Sequence, residues 1–274
     1  MARATIPDPA AKPAGRRESN RRLRYRRYLD AGMHIATTDG VKSLTMQRLA
    51  ADLGCAVGTV YTYFPSKGAL IAELQREAVE RLSASYRLIR LRSDAELAAW
   101  EDERAASIAR LVVFGRFWIA TVETFPEEAK LLHLLISEPE VLVPPDEQYR
   151  VVPVAMALLG EAQTCVEHAA SVGGIQVSDS LAVVIRWAAA LTGALQISNL
   201  AQLDPVTFDG PRLARELLDD LLRGWTVDPD LVARADEHAD GLAASGPLAP
   251  PIDVDGVPGD GAVAEDSLEV RSRP

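Results

Sequence analysis

Cysteine is scarce in this chain, and so are aromatic residues and long charge-free apolar runs. Its two cysteines, Cys55 and Cys165, are too few for a disulfide framework and too far apart for a zinc knuckle, which implies a reducing setting. Aromatic residues make up 5% of a composition that is 48% apolar and rich in Ala and Leu, a balance that leans toward helical packing. The most apolar window, "SLAVVIRWAAALTGALQI" from Ser180 to Ile197, contains Arg186 and is built largely from small residues, so a buried helix is expected rather than a membrane span. No apolar stretch follows the arginine-rich start, and neither a secretory nor a twin-arginine signal is expected.

Catalytic signatures are missing as well. The chain has no glycine-rich phosphate loop, no G-x-S-x-G elbow and no H-E-x-x-H pair, so an enzyme is not expected. Cys165 and His168 stand i,i+3 but have no third or fourth ligand. His34, His133 and His238 are scattered. "DVDGVPGDG" near the end lacks the ligand spacing and terminal Glu of a calcium loop. No metal and no cofactor are expected.

The charge is unevenly distributed. The net charge is −10, yet Met1–Arg76 holds 13 Lys and Arg against 6 Asp and Glu, leaving 16 against 33 for the remainder. A basic front on an acidic body suggests a small polyanion-binding module joined to a part that does not bind polyanions; a solvated basic tail would look the same by charge alone.

Proline, glycine and arginine mark residues 1–20 and about 241–274 as disordered. Between these tails the periodicity is helical and no strand alternation persists. Helices are expected at 22–38, 45–53, 57–63, 67–91, 96–125, 126–137, 146–172, 178–203 and 210–225. Thr45 and Ser66 are placed as N-caps, Gly54 as a C′ residue and Pro126 as a first helical residue. "SEPEVLVPPDE" (137–147) and "SVGGIQVS" (171–178) read as breaks. The domains expected are a disordered basic arm at 1–20, a helix-turn-helix domain at 21–66, a helical body at 67–240 and a tail beyond.

The short helix, glycine turn and short helix of "TMQRLAADLGCAVGTVYTYF" (45–64) have the spacing of a helix-turn-helix, whose second helix enters the DNA major groove. Gly58 allows a close backbone approach. Thr59 offers a hydroxyl and a methyl to base edges, and Tyr61 and Tyr63 offer phenols to phosphates. Thr45, at a helix start, can donate to a phosphate, and Lys67 adds a full charge at the next helix start. Leu44, Leu49, Leu53, Val60, Phe64 and Leu70 fall where a three-helix core needs them. Either tyrosine could instead be core, since positions two apart on a helix do not share a face. Seven arginines between Arg16 and Arg27 suit either a minor-groove arm or general phosphate attraction.

"GVKSLTMQRLAADLGCAVGTVYTYFPSKGALI" resembles the DNA-binding domain of the tetracycline-repressor (TetR) family of bacterial regulators, over about residues 22–76. The resemblance implies phosphate contacts from Thr45, Tyr61, Tyr63 and Lys67, and groove contacts from Val57, Gly58 and Thr59, with Gln47 and Arg48 as helpers. Ala56 departs from the family's usual capping Ser or Thr, Tyr63 stands where His is frequent, and Val57 is apolar where many relatives have a polar reader.

The fold expected is all-α: an N-terminal three-helix helix-turn-helix domain followed by a helical ligand-binding and dimerisation domain. By resemblance, the protein is a cytoplasmic, nucleoid-associated bacterial regulator. It binds a palindromic operator as a homodimer and is released by a small molecule, acting as a repressor. An activator, an architectural protein or a regulator without an inducer remain alternatives. Dimerisation is expected through the helices near 178–203 and 210–225. Ala182, Ala189, Gly193 and Ala194 would allow close approach there, and Leu213, Leu217, Leu218, Leu221, Leu222 and Trp225 would add apolar surface. The candidate pocket comprises Phe114, Phe117, Trp118, Thr121, Met156, Cys165, Trp187 and Leu191, suited to a hydrophobic effector, although each also suits ordinary core.

Overall fold

The structure, a computed structural model, describes residues 14–137 and 143–252, which form eleven α-helices. Helix α1 (Ala14–Asp39) begins directly after Pro13, earlier than the expected start at 22. The arginine-rich stretch from residue 14 to 20 is therefore helical rather than disordered. Ala, Arg and Glu are good helix formers, and the helix-breaking prolines stop at Pro13. Residues 1–13 lie outside the described residues, as do 138–142, within the expected 137–147 break.

Three short elements follow. A 3-10 turn at Val41–Ser43 leads into α2 (Met46–Asp52), and α3 (Val57–Tyr61) comes next. They close on α1 and on the first turns of α4 (Lys67–Leu97) around Leu29, Ile35, Leu44, Leu49, Val60, Phe64, Leu70 and Leu74. The sequence placed Leu44, Leu49, Val60, Phe64 and Leu70 in this core, and all are buried; Leu53 is half-buried. Both anticipated N-caps are present: the Arg48 amide donates to Thr45 Oγ1 (3.1 Å), and the Ala69 amide to Ser66 Oγ (2.9 Å).

Helix α4 runs past its expected end at 91 and enters a second, larger core through Leu82, Tyr86 and Ile89. Around it pack α5 (Glu103–Thr124), α8 (Val152–Ser171), α9 (Ser180–Gln196), α10 (Gly210–Gly224) and α11 (Pro229–Ala244). The expected helix from 96 is split, because Asp102 caps α5 by accepting from the Ala105 amide at 3.1 Å. Between α5 and α8 stand α6 (Pro126–Ser137) and the single turn α7 (Pro145–Gln148). Helix α6 bridges the two cores. Its Leu131 is buried among the N-terminal helices, and its Glu128 pairs with Arg81 of α4.

Two helices, Glu103–Thr124 and Ser180–Leu200 (α9 with the turn after it), are long and apolar enough to cross a membrane. The first is 72% buried within the protein, but the second only 33%. The expected buried helix at 180–197 is thus buried on one face alone. Val183, Val184, Trp187 and Leu191 point inward, while Ile185, Arg186, Ala189 and Gly193 are exposed.

The tail boundary at 241 also shifts. Helix α11, absent from the expected helices, starts with Asp228 as N-cap and Pro229 in its first turn. It buries Leu231, Val232, Ala235, Ala239 and Leu242. The chain then runs along α4 as a strap: Arg92 donates to Leu242 O (2.9 Å) and Pro247 O (3.2 Å), and Ser85 Oγ donates to Pro250 O (2.7 Å). Its own Leu248, Ala249 and Ile252 are buried against the body. Small residues and prolines gave this segment a disordered composition, yet they fit a narrow seam. The remaining 253–274, including the calcium-like "DVDGVPGDG", lie outside the described residues.

His238 anchors α11 to α4, with Nε2 2.9 Å from Ser93 Oγ and Nδ1 3.5 Å from Glu96. Burial holds its pKa below the ordinary 6.5, with Glu96 opposing in part. The unfolded chain therefore takes up a proton that the folded chain resists. This contribution to stability is present above pH 6.5 and declines as pH falls below it. Urea midpoints at pH 7.5 and 5.5 should drop more for the native chain than for His238→Gln; equal drops would remove His238 from the acid response.

Candidate nucleic-acid interface

The turn between α2 and α3 sets the geometry of the site. Gly54 takes the left-handed conformation (φ 62°), its amide donates to Ala51 O (3.1 Å), and the Cys55 amide donates to Ala50 O (3.0 Å). This paired closure satisfies the last carbonyls of α2 and turns the chain into α3. Ala56 stands at the N-cap of α3 without a side-chain bond, so the amides at that helix start are not capped by a side chain. Five β-branched, aromatic or glycine residues make a poor helix by propensity. What holds α3 is Val60, fully buried, with half-buried Val57 beside the same core.

The outward residues of α3 are not required by the fold. A Cβ added at Gly58 would meet nothing within 4 Å, and no unusual backbone angle demands glycine there. Tyr61 is 46% exposed, so much of its ring and its phenol face outward. Thr59 lines a small cleft with Arg24, Arg27, Tyr28, Leu53 and Cys55. Thr62 turns its hydroxyl back onto Thr59 O (2.6 Å).

The other expected contact residues are spread around this surface. Thr45 and Gln47 are exposed at the start of α2. Thr45 Oγ1 accepts its cap bond and keeps its proton for an outside acceptor. Arg48 is also exposed, but its guanidinium is held by Asp39 at 2.5 Å. Lys67 Nζ donates to Lys42 O (3.3 Å), which brings two lysines together at the start of α4.

Tyr63 is different. Its ring packs 5.0 Å from Tyr28 and 6.4 Å from Tyr25, and Tyr25 stacks on Phe64 at 5.3 Å. This aromatic cluster fastens α1 to the end of α3, and burial, with Glu73 adding to it, pushes the Tyr25 phenol up to about 12. Of the two tyrosines, Tyr63 is largely structural and Tyr61 is presented outward.

Forming α1 as a helix also sorts the arginines that the sequence offered as one cluster. Arg24 and Arg27 face the recognition-helix cleft, whereas Arg21, Arg22 and Arg26 line a groove on the α4 side. The i,i+3 spacing of 24 and 27 within the expected helix 22–38 puts those two on one face, although the seven arginines read as a single cluster in the sequence. Lys42 is the other basic residue that sequence reasoning passed over.

The pocket candidates divide in the same way. Phe114, Phe117 and Trp187 interlock with Tyr86: Tyr86–Phe114 is 4.6 Å, Tyr86–Phe117 5.3 Å and Phe114–Trp187 5.0 Å. Leu191 and Thr121 are buried, Thr121 Oγ1 bonding Trp118 O (2.6 Å), and Trp118 is half-buried. Cys165 Sγ lies 3.8 Å from the Tyr86 hydroxyl, and burial raises its pKa. Met156 is exposed on α8, away from this group. The gap beside Trp187 holds about 10 Å³, and the buried Trp187 Nε1 has no hydrogen-bond partner among the described residues. These residues form filled core rather than an open pocket. His168 pairs with Glu103 at 2.7 Å, so it and Cys165 bond different neighbours. No group of three or more metal-ligating side chains occurs among the described residues.

A three-helix head that presents an exposed helix surface beside Arg24 and Arg27, set on a separately cored helical body, has the architecture of a helix-turn-helix DNA-binding domain on a helical body. Residues 29–74 match the family model for bacterial regulatory proteins of the tetR family. Over 63 residues the chain is 40% identical to the HTH-type transcriptional repressor KstR of Mycolicibacterium smegmatis, covering 23% of this chain and 31% of that protein. It is 39% identical over 57 residues to the repressor DrrR1 of Streptomyces coeruleorubidus, covering 21% of each. The match thus spans about a third or less of these relatives. Among solved structures, FadR of Bacillus subtilis in complex with stearoyl-CoA superposes with a TM-score of 0.53 at 14% identity, covering 73% of this chain and 98% of that one. SmeT, the repressor of the Stenotrophomonas maltophilia multidrug efflux pump SmeDEF, gives 0.50 at 16%, covering 76% and 92%. At these identities the likeness is one of fold. The chain carries the DNA-binding domain of the TetR family.

Two substitutions test the interface. Gly58→Ala should leave the unfolding midpoint unchanged or raise it, since Ala is favoured in helices by about 1 kcal/mol, while weakening DNA binding by crowding the groove. Tyr61→Phe should weaken binding roughly fivefold, the loss of one hydrogen bond of about 1 kcal/mol, with no change in stability. Fluorescence anisotropy with duplex DNA and parallel urea titrations read both effects. Undiminished affinity in both variants would move the contact surface off α3.

Proposed function

We propose that the protein is a ligand-responsive transcriptional regulator, a cytoplasmic repressor that binds a palindromic operator as a homodimer and releases it on taking up a hydrophobic molecule. The observation that carries the DNA-binding part is the outward surface of α3, where nothing in the backbone or packing requires glycine at 58 and Tyr61 is presented outward. Thr45, Gln47, Thr59, Tyr61, Lys42 and Lys67 supply the contacts, with Arg24 and Arg27 flanking the recognition helix. Arg48 acts from its pairing with Asp39. Tyr63 holds the recognition helix in place and offers at most its phenol tip.

The exposed face of α9 supports the dimer. Ile185, Ala189 and Gly193 lie along it, and Leu203 and Val206 beyond it are more than 70% exposed. An apolar surface of this kind marks an interaction site, and its small residues permit close helix approach. On α10, Leu218 and Leu222 are buried in the chain's own core, which leaves half-buried Leu213, Leu217 and Leu221 for the partner. A two-fold pairing of α9 and α10 would place two recognition helices for successive major grooves.

Coupling would run through α6. A ligand that wedged apart α5, α9 and α10 beside Trp187 would satisfy the free indole N–H with an acceptor and displace α5. Helix α6 continues from α5, with Glu128 on Arg81 and Leu131 in the N-terminal core. Its movement would change the spacing of the recognition helices. The ligand would act only through its different affinities for the two spacings. Stearoyl-CoA in the FadR structure makes a long acyl chain a reasonable first probe. The close packing around Trp187 favours a second reading, a regulator without an inducer.

Gly193→Arg separates dimerisation from folding. A Cβ at Gly193 meets nothing within the chain, so the variant should keep its helix content. It should run at the single-chain mass of 29.6 kDa in light scattering and lose at least about a hundredfold in operator affinity, because linkage of the two half-sites is lost. A variant that stays dimeric places the interface elsewhere. A mobility shift on the DNA upstream of the coding sequence, with and without long-chain acyl compounds, decides between inducer-controlled and inducer-free regulation.

A further inference from the structure

On the α4 side of α1, helices α1, α4 and α8 enclose an open groove of about 1340 Å³, with Tyr63 on its wall as well. Five arginines line it, Arg21, Arg22, Arg26, Arg81 and Arg87, against Glu77 and Glu80. Arg26 pairs with Glu77, Arg81 with Glu128 and Glu80 with Arg76. The groove therefore keeps an excess of positive charge, carried by Arg21, Arg22 and Arg87. Ile252, the last described residue, also lines it.

The strap leads there in a definite direction. Arg92 binds it at residues 242–247, Ser85 binds it at Pro250, and Ile252 lies in the groove. It therefore runs antiparallel to α4, moving about 10 Å between Arg92 and Ser85 at 1.5 Å per residue, toward the arginines of α1. The chain that continues from Ile252 is acidic. Residues 253–269 contain Asp253, Asp255, Asp260, Glu265, Asp266 and Glu269 and no Lys or Arg; the first base is Arg271. Extended, these residues would span roughly 55 Å, far more than the roughly 12 Å from Ser85 to Glu77 along α4.

We propose that the acidic segment 253–269 docks into this arginine-lined groove and, by screening the arginines of α1, lowers the protein's affinity for DNA. The chain carries its own polyanion, delivered by the strap to the α4 side of the helix whose Arg24 and Arg27 flank the recognition helix. Docking itself does not depend on the DNA-binding reading; its inhibitory effect rests on it.

The test uses the full chain with the six carboxylates changed to amides (Asp→Asn, Glu→Gln), which empties the groove without truncation. A synthetic peptide of residues 253–270 is titrated calorimetrically into this protein. Saturable binding at one peptide per chain is expected, lost at high salt and weakened at least about tenfold by Arg87→Glu, consistent with an electrostatic site. No saturable binding, equal binding of the amide version of the peptide, or indifference to Arg87→Glu would overturn docking.

In parallel, affinity for a random-sequence duplex at low salt should rise about tenfold in the amide-tail chain. It should also rise in Arg87→Glu with the native tail, although that change makes the protein more negative. Arg87→Glu on the amide tail should bring no gain. Unchanged affinity on neutralising the tail overturns the inhibitory role. If no form binds DNA, the DNA-binding reading fails, and the peptide titration still decides docking.

Discussion

Helix α4 is the constraint on which the rest depends, because one continuous element belongs to two cores. Its first turns place Leu70, Ile71 and Leu74 under the recognition helix, and its later turns place Leu82, Tyr86 and Ile89 at the centre of the body. Thirty-one residues of α-helix span about 46 Å. No proline or glycine interrupts it after Gly68, so it has none of the usual residues that kink a helix. The same helix thus carries Tyr86 in the body core and Leu70 and Leu74 in the head core. Helix α6 makes a second connection, through the Glu128–Arg81 pair and Leu131. Head and body are thus joined at two places, along α4 and through α6.

The two domains use their residues in opposite ways. In the head, a small core of aliphatic side chains with Tyr28 and Phe64 supports helices of poor intrinsic propensity and leaves Gly58 and Tyr61 outside. In the body, the aromatic residues turn inward and interlock, which leaves the surface to charges and to the apolar outer face of α9. The basic front and acidic remainder follow from this division of labour. The strap adds a qualification: the acidic end of the chain returns along α4 toward the basic front, so the two charge blocks are not simply segregated in space.

Much of the head was legible in the sequence because its signals are local. A threonine cap, a glycine C′ turn and an apolar pattern over a few turns are each decided by neighbours within four residues, and all are present. Local signals also misled. Arginine and proline together suggested a disordered arm, but the prolines end at Pro13 and the arginines continue as α1. The strap has the composition of a tail, yet Leu248, Ala249 and Ile252 fill a seam that exists only once α4 and α11 are in place. Helix α11 was missed although Leu231, Val232, Ala235, Ala239 and Leu242 stand at helical spacing, because two of the five are Ala and the segment is otherwise rich in Asp, Glu and Arg.

The sequence by itself determined the helical class, the helix-turn-helix and its caps, and the separation of a basic head from an acidic body. These depend on backbone propensity, short-range hydrogen bonds and net charge. Only the tertiary structure decided the roles of particular residues. It sent Tyr63 into an aromatic cluster and left Tyr61 outside, drew Phe114, Phe117 and Trp187 into a packed core, and split the arginines of α1 between two faces. Burial and facing depend on which distant side chains arrive at the same place, and no window of sequence contains that information.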